Sequence, residues 1–201
     1  AVADVGCIVV DEIHLVGDPT RGGTLEALLA RLRLLSDTTR IVGLSATVAN
    51  ADEVADWLGA DLLRSTWRPT VLVTQMIDYE PASDRWADVE RAKDGALLPL
   101  IRSILAKDDT DDPAASVLVF TGSKAVARRL ACQLAQVTDP ADEEGAARAC
   151  MRKGVGFHYR GAPLADEALA GFRGRTVRAL FATSGLSTGI NTPARVVVVR
   201  D

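Results

Sequence analysis

The feature that most constrains the fold is an alternation. Short Val/Ile-rich runs repeat along the chain, and most are followed by a segment with helical spacing. The runs are VGCIVVDE (5–12), RIVGLSAT (40–47), TVLVTQMI (70–77), SVLVFTG (116–122), GVGFH (154–158), TVRALFAT (176–183) and ARVVVVR (194–200). TLEALLARLRLLS (24–36) places apolar residues at 25, 28, 29, 32 and 35, a helical stripe, with Thr24 as its N-cap. ADEVADWLGA (51–60), with Asn50 as its cap, residues 88–106, SKAVARRLACQLAQ (123–136) and LADEALAGFR (164–173) read as further helices. Residues 138–153 form an irregular or short helical insertion. Continuously apolar strands separated by helices predict an α/β fold, with parallel sheets covered by helices on both faces. STWRP (65–69) breaks the alternation, because Pro69 cannot continue a helix. It divides the chain into residues 1–64 and 70–201.

Composition excludes several classes. With 201 residues, 48% hydrophobic, the chain can bury a real core. The net charge of −4 means that any nucleic-acid binding relies on local sites rather than a global basic field. Cys7, Cys132 and Cys150 form no CxxC pair, so neither a disulfide framework nor a zinc site is expected. Cys7, inside an apolar run, reads as a small core residue. No apolar run approaches the ~18 residues of a membrane span, and no signal peptide is visible, so a cytoplasmic protein without membrane contact is expected.

The chemistry sits at strand ends. In open parallel sheets, ligands bind outside the carboxyl ends of the strands. IVVDEIH ends one strand on Asp11 and Glu12, followed by His14. One carboxylate there can hold Mg²⁺ through water. The second, pointing elsewhere, can polarise an attacking water, and phosphoryl transfer needs both roles. GLSATVAN (43–50) ends a second strand on Ser45, Ala46 and Thr47, whose small hydroxyls can pair with His14 across the sheet.

DEIHLVGDPTRGGTLEALLARLR and RIVGLSATVANADEVADWLGA resemble motifs II and III of the superfamily-two DExH helicases of the Ski-like branch. VLVFTGSKAVA (117–127) is similar to motif IV, RKGVGFHYRGAP (152–163) to the motif often written GxxFHHAGL, and TVRALFATSGLSTGINTPARVVVV (176–199) to motif V. The pattern is most similar to the archaeal DNA-repair helicases, the Hjm group. The resemblance implies two RecA-like domains: the back half of the first in 1–64, a linker at 65–69, and most of the second in 70–201. It implies ATP and Mg²⁺ as cofactors and single-stranded or forked DNA as partner, with RNA the less favoured alternative and protein partners open. Asp11 would organise Mg²⁺ and Glu12 would orient the hydrolytic water. His14, Ser45, Ala46 and Thr47 would couple hydrolysis to domain movement. Thr121, Ser123, His158, Thr183 and Asn191 would meet the strand backbone, where hydroxyls and amides suit sequence-independent phosphate contacts. Gly185 and Gly189 would line the interdomain ATP cleft and allow close backbone approach. Read without the resemblance, Thr183 is a cap and His158 a satisfied core histidine. Arg128 and Arg129 read as a solvated face.

The chain departs from the family in two ways. FHYRGA stands where two histidines and Ala-Gly-Leu are usual, so the second histidine is replaced by Tyr159 and the next residue by Arg160. No GxxxxGK[ST] phosphate loop and no QxxGRxGR occurs in residues 1–201. The parent is therefore expected to be an ATP-dependent helicase acting in repair or recombination, and these residues alone are expected not to hydrolyse ATP. The alternative is a degenerate module that only binds nucleic acid.

Overall fold

The computed structural model describes residues 5–36, 38–45, 50–67, 70–106, 115–138, 142–186 and 192–200. The chain divides into two compact units, Ala1–Leu72 and Val73–Asp201. The first unit holds β1 (Cys7–Val10), α1 (Gly22–Leu35), β2 (Arg40–Gly43) and α2 (Ala51–Leu58). β1 and β2 pair in parallel, Cys7 opposite Arg40 and Val10 opposite Gly43. The second holds α3 (Trp86–Ala106), β3 (Val117–Thr121), α4 (Lys124–Ala135), α5 (Glu143–Arg152), β4 (Val155–His158), α6 (Ala165–Arg173), β5 (Ala179–Ala182) and β6 (Val196–Arg200). Its strands form one parallel sheet in the order β4–β5–β3–β6. This is the parallel α/β architecture that the alternation predicts.

Period-two geometry explains how the second unit builds a core on each face of its sheet. Val117 and Val119 of β3, with Phe157 and Phe181 of the neighbouring strands, face α3, α4 and α5 in one buried cluster. Leu118 and Leu180, one residue along, face α6 and meet Leu169 and Phe172 in the other. The central strands β3 and β5 are buried along nearly their whole length, whereas β6, at the sheet edge, alternates. Residues 138–153, open in the sequence between irregular and helical, supply α5. Asp142 caps it by accepting from the Glu144 and Gly145 amides, each at 3.0 Å.

Several sequence expectations are corrected. TVLVTQMI (70–77) is not a strand: it pairs with no strand among the described residues, and Val71 and Met76 are more than 90% exposed. Branched apolar residues favour a strand only where a neighbour accepts their backbone groups. Cys7 lies on β1 but is exposed; among the described residues β1 pairs with β2 alone. Thr24 is not the cap of α1, which starts two residues earlier; Asp18 organises that end instead. Its carboxylate accepts from the Thr20 and Arg21 amides, both at 2.9 Å, and from the Thr20 hydroxyl at 2.6 Å. Asn50 does precede α2, but its side chain donates to Glu53 at 3.2 Å and caps no backbone amide. Arg129 is not a solvated cation: it ion-pairs with Asp94 of α3. Asp94 also receives Arg200, whose side chain is only 5% exposed and reaches Glu90 at 2.8 Å, tying the end of β6 to α3.

Candidate functional site

The first constellation is built on the turn after β1. Val10 accepts the Leu44 amide at 2.8 Å, and the Ile13 amide donates to the Leu44 carbonyl at 2.9 Å, so the turn is fastened to the end of β2. Ile13 is buried against Gly43, where a Cβ would lie 3.2–3.3 Å from three of its side-chain atoms; a side chain there would lift the turn. Glu12 takes a left-handed conformation, φ 53°, and a short 3-10 turn follows over Ile13–Gly17. The Glu12 amide donates to the Asp11 carboxylate at 2.9 Å. Anchored Ile13 thus leaves Asp11 and Glu12 exposed at the carboxyl end of β1 and turns His14 toward the end of β2.

His14 joins the two strand ends. Its Nδ1 lies 3.0 Å from Ser45 Oγ and 3.2 Å from Glu12 Oε2. A carboxylate only accepts hydrogen bonds, so the Glu12 contact is favourable when Nδ1 carries a proton. The imidazole thereby links a carboxylate of one strand end to a hydroxyl of the other, as the sequence predicts for His14 and Ser45. Ala46 and Thr47 lie outside the described residues. The donor set of Asp11 and Glu12 is hard, exposed oxygen. That suits Mg²⁺, which keeps several waters and shares phosphate oxygens with its nucleotide rather than needing an all-protein cage.

The second constellation lies along the carboxyl edge of the four-stranded sheet. Thr121, at the end of β3, is buried, and its hydroxyl lies within hydrogen-bonding reach of the Ser123 and Ala182 carbonyls, at 3.2 and 3.3 Å. Ser123 caps α4, its Oγ accepting from the Val126 amide at 3.3 Å. His158 ends β4, and its carbonyl accepts the Thr183 amide at 3.3 Å. His158 is not a satisfied core histidine, because its buried Nδ1 has no partner among the described residues. Burial pushes its pKa below the ordinary 6.5, against an opposing pull from Asp166. Thr183 is half-buried before the 3-10 turn Ser184–Leu186, and Gly185 of that turn is exposed with open space around it. Gly189 and Asn191 lie outside the described residues. The parallel sheet brings Thr121, Ser123, His158 and Thr183 to one edge.

Sequence reasoning missed the surroundings of Tyr159. This residue is buried, stacks on Phe157 with centroids 5.7 Å apart, and donates from its hydroxyl to Glu143 of α5. Lys124 donates to the Arg160 carbonyl at 2.8 Å and lies 5.6 Å from the centre of the Tyr159 ring. The departure FHYRGA was the available signal, but nothing in the spacing pointed to a partner on α5.

Residues 1–54 match the DEAD/DEAH box helicase family. The chain is 34% identical over 213 residues to the ATP-dependent DNA helicase Hel308 of Thermoplasma volcanium, and 36% over 220 residues to that of Pyrobaculum calidifontis. In both, the match covers 98% of this chain and 30% of the relative. The chain thus spans less than a third of the length of these curated relatives. Among solved structures, the Mycobacterium smegmatis helicase Lhr bound to ssDNA and AMP-PNP aligns with a TM-score of 0.51 at 24% identity, over 98% of this chain and 25% of that one. Saccharomyces cerevisiae Dbp5 bound to RNA and ADP BeF3 aligns with a TM-score of 0.58 at 21% identity, over 97% and 44%. These two likenesses speak to fold, which is that of helicase RecA-like domains. With the motifs in order and this identity along nearly all its residues, the chain belongs to the superfamily-two helicases, as a homologue of the archaeal Hel308 DNA helicases.

Proposed function

We propose that the protein carrying this chain is an ATP-dependent helicase that translocates on single-stranded DNA and opens duplexes in repair or recombination. The observation that carries the reading is the His14 bridge between Glu12 and Ser45. A residue that touches both a candidate water-orienting carboxylate and the end of a second strand can pass the state of the nucleotide into the fold. Asp11 would hold Mg²⁺ through water, and the cation would offset charge on the nucleotide phosphates. Glu12 would orient water and take up its proton. The carboxyl-edge residues of the second unit would meet the DNA backbone, chiefly through Ser123, His158 and Thr183; the Thr121 hydroxyl is committed within the fold. We read 1–64 as the back half of one RecA-like domain, 65–69 as linker and 70–201 as most of the second. DNA is preferred to RNA because the Hel308 relatives are named DNA helicases. A forked substrate, a cytoplasmic location and the inactivity of residues 1–201 by themselves belong to this reading. Among the described residues no helix is long and apolar enough to cross a membrane.

The test uses the protein as its gene encodes it. Oligo(dT) should stimulate phosphate release, and ATP should drive separation of a forked DNA duplex. Glu12→Gln should bind nucleotide normally and lose turnover by about 10²- to 10⁴-fold, the usual worth of a positioned acid–base group. Turnover indifferent to DNA but stimulated by an RNA strand would replace DNA by RNA in this reading. Turnover unchanged in Glu12→Gln would remove Glu12 from it.

A further inference from the structure

The loop after β4 carries an exposed cation, Arg160, in the FHYRGA departure from the motif. Arg160 is exposed, and its guanidinium has no partner among the described residues. The backbone beneath it is held from three directions. Tyr159 is buried, stacked on Phe157 and hydrogen-bonded to Glu143 of α5. Lys124, the first residue of α4, donates to the Arg160 carbonyl at 2.8 Å. Gly161 turns the chain at φ 85°, and the Ala162 amide closes the turn on the Tyr159 carbonyl at 2.9 Å. The fastened loop has already given up its backbone freedom, so only the Arg160 side chain is ordered on binding, which favours affinity.

Its position supplies the ligand class. Arg160 lies two residues beyond the end of β4, on the same carboxyl edge as Ser123 and Thr183. Glu143, the carboxylate tied to this loop, is turned onto the Tyr159 hydroxyl. Two cations, Lys124 and Arg160, therefore stand beside the cap of α4. A guanidinium presents paired donors that match a phosphate's oxygens better than a point charge does.

We infer that Arg160, held by the Lys124–Tyr159–Glu143 latch, binds a phosphodiester of the single strand that crosses this edge. This rests on the DNA-translocating function proposed above. The buried tyrosine fixes the backbone from which the Arg160 side chain projects.

The experiment measures binding of fluorescent oligo(dT) across a salt series, using the protein as its gene encodes it, with Arg160→Ala, Arg160→Lys and Arg152→Ala. Arg152 ends α5 and is exposed at the opposite edge of the sheet, so its loss controls for bulk charge. Arg160→Ala should weaken binding roughly three- to tenfold, as expected for one charge-assisted contact. It should also reduce the slope of log K against log salt by ~0.7, one phosphate on a single strand. Arg160→Lys should keep the slope and lose part of the affinity, and Arg152→Ala should change neither. Wild-type binding with the slope unaltered in Arg160→Ala, or equal losses in Arg152→Ala, would overturn the inference and leave the function standing. Failure of the wild type to bind would overturn both.

Discussion

At the scale of single residues, the strand ends gather carboxylates, hydroxyls and two imidazoles, His14 and His158. Asp11 and Glu12 announce themselves as carboxylates at the end of an apolar run, and His14 meets Ser45 as the two strand ends suggest. What could not be read is where a side chain goes once packing competes for it. Thr121 looks like a surface hydroxyl for phosphate, yet it is buried and bonded within the fold. His158 shows the opposite case, since its buried Nδ1 lacks a partner among the described residues. Burial disfavours the imidazolium and holds the folded pKa below the unfolded value of 6.5. Above pH 6.5 both states are neutral and this group exerts no pH dependence. As pH falls through 6.5 the unfolded chain takes up a proton first, so folded stability drops until the folded pKa is passed. Thermal unfolding at pH 7.5 and 5.5 should therefore show a smaller difference in His158→Gln than in the wild type. An identical difference in the two proteins would mean that His158 titrates as in an unfolded chain.

At the scale of elements, helix and strand positions followed from period, and their ends did not. Thr24 looked like a cap because it precedes an apolar stripe, but α1 opens at Gly22, after a turn whose Thr20 and Arg21 amides bond to Asp18. A cap depends on backbone direction before the helix, which hydrophobic period does not report. The unpaired segment 70–77 makes the same point for strands, because a partner is needed and partners are distant in sequence. Glycines inside helices separate propensity from packing. A Cβ on Gly95 of α3 would meet nothing within 4 Å, so Gly95→Ala should stabilise by about 1 kcal/mol through helix propensity alone. Gly171 of α6 sits against the Thr176–Val177 turn. A Cβ there would lie 2.9 Å from a methyl of buried Val177 and 3.0 Å from the Thr176 hydroxyl, which itself donates to the Gly171 carbonyl. Gly171→Ala should cost roughly 1–3 kcal/mol, crowding outweighing the propensity gain. Denaturant midpoints of the two variants should move in opposite directions. Stabilisation in both would show that propensity dominates at both sites.

At the scale of the molecule, each unit can be judged by what it buries. The second has clusters on both faces of its sheet, with β3 and β5 enclosed between them. Among the described residues of the first, Ile13, Leu29 and Ala55 are the buried hydrophobic side chains, while Val9, Leu34 and Leu35 are at least 60% exposed. Among the described residues its β1–β2 ladder has two strands. Two-stranded sheets are marginal without a packed face, whereas central strands of a covered sheet open only with the whole unit. Amide hydrogen exchange should therefore report a gradient within one chain. Amides of Val117–Val119 and Ala179–Ala182 should exchange last. Those of Ile8–Val10 and Ile41–Gly43 should exchange at least about a hundredfold faster, a gap of ~3 kcal/mol in opening free energy. Slow exchange concentrated in β3 and β5 would place the carboxyl-edge residues on the rigid part of residues 1–201 and the DEIH turn on the labile part. Comparable protection in β1 and β3 would contradict that, because it would require the first unit to hold its ladder with about as much free energy as the second.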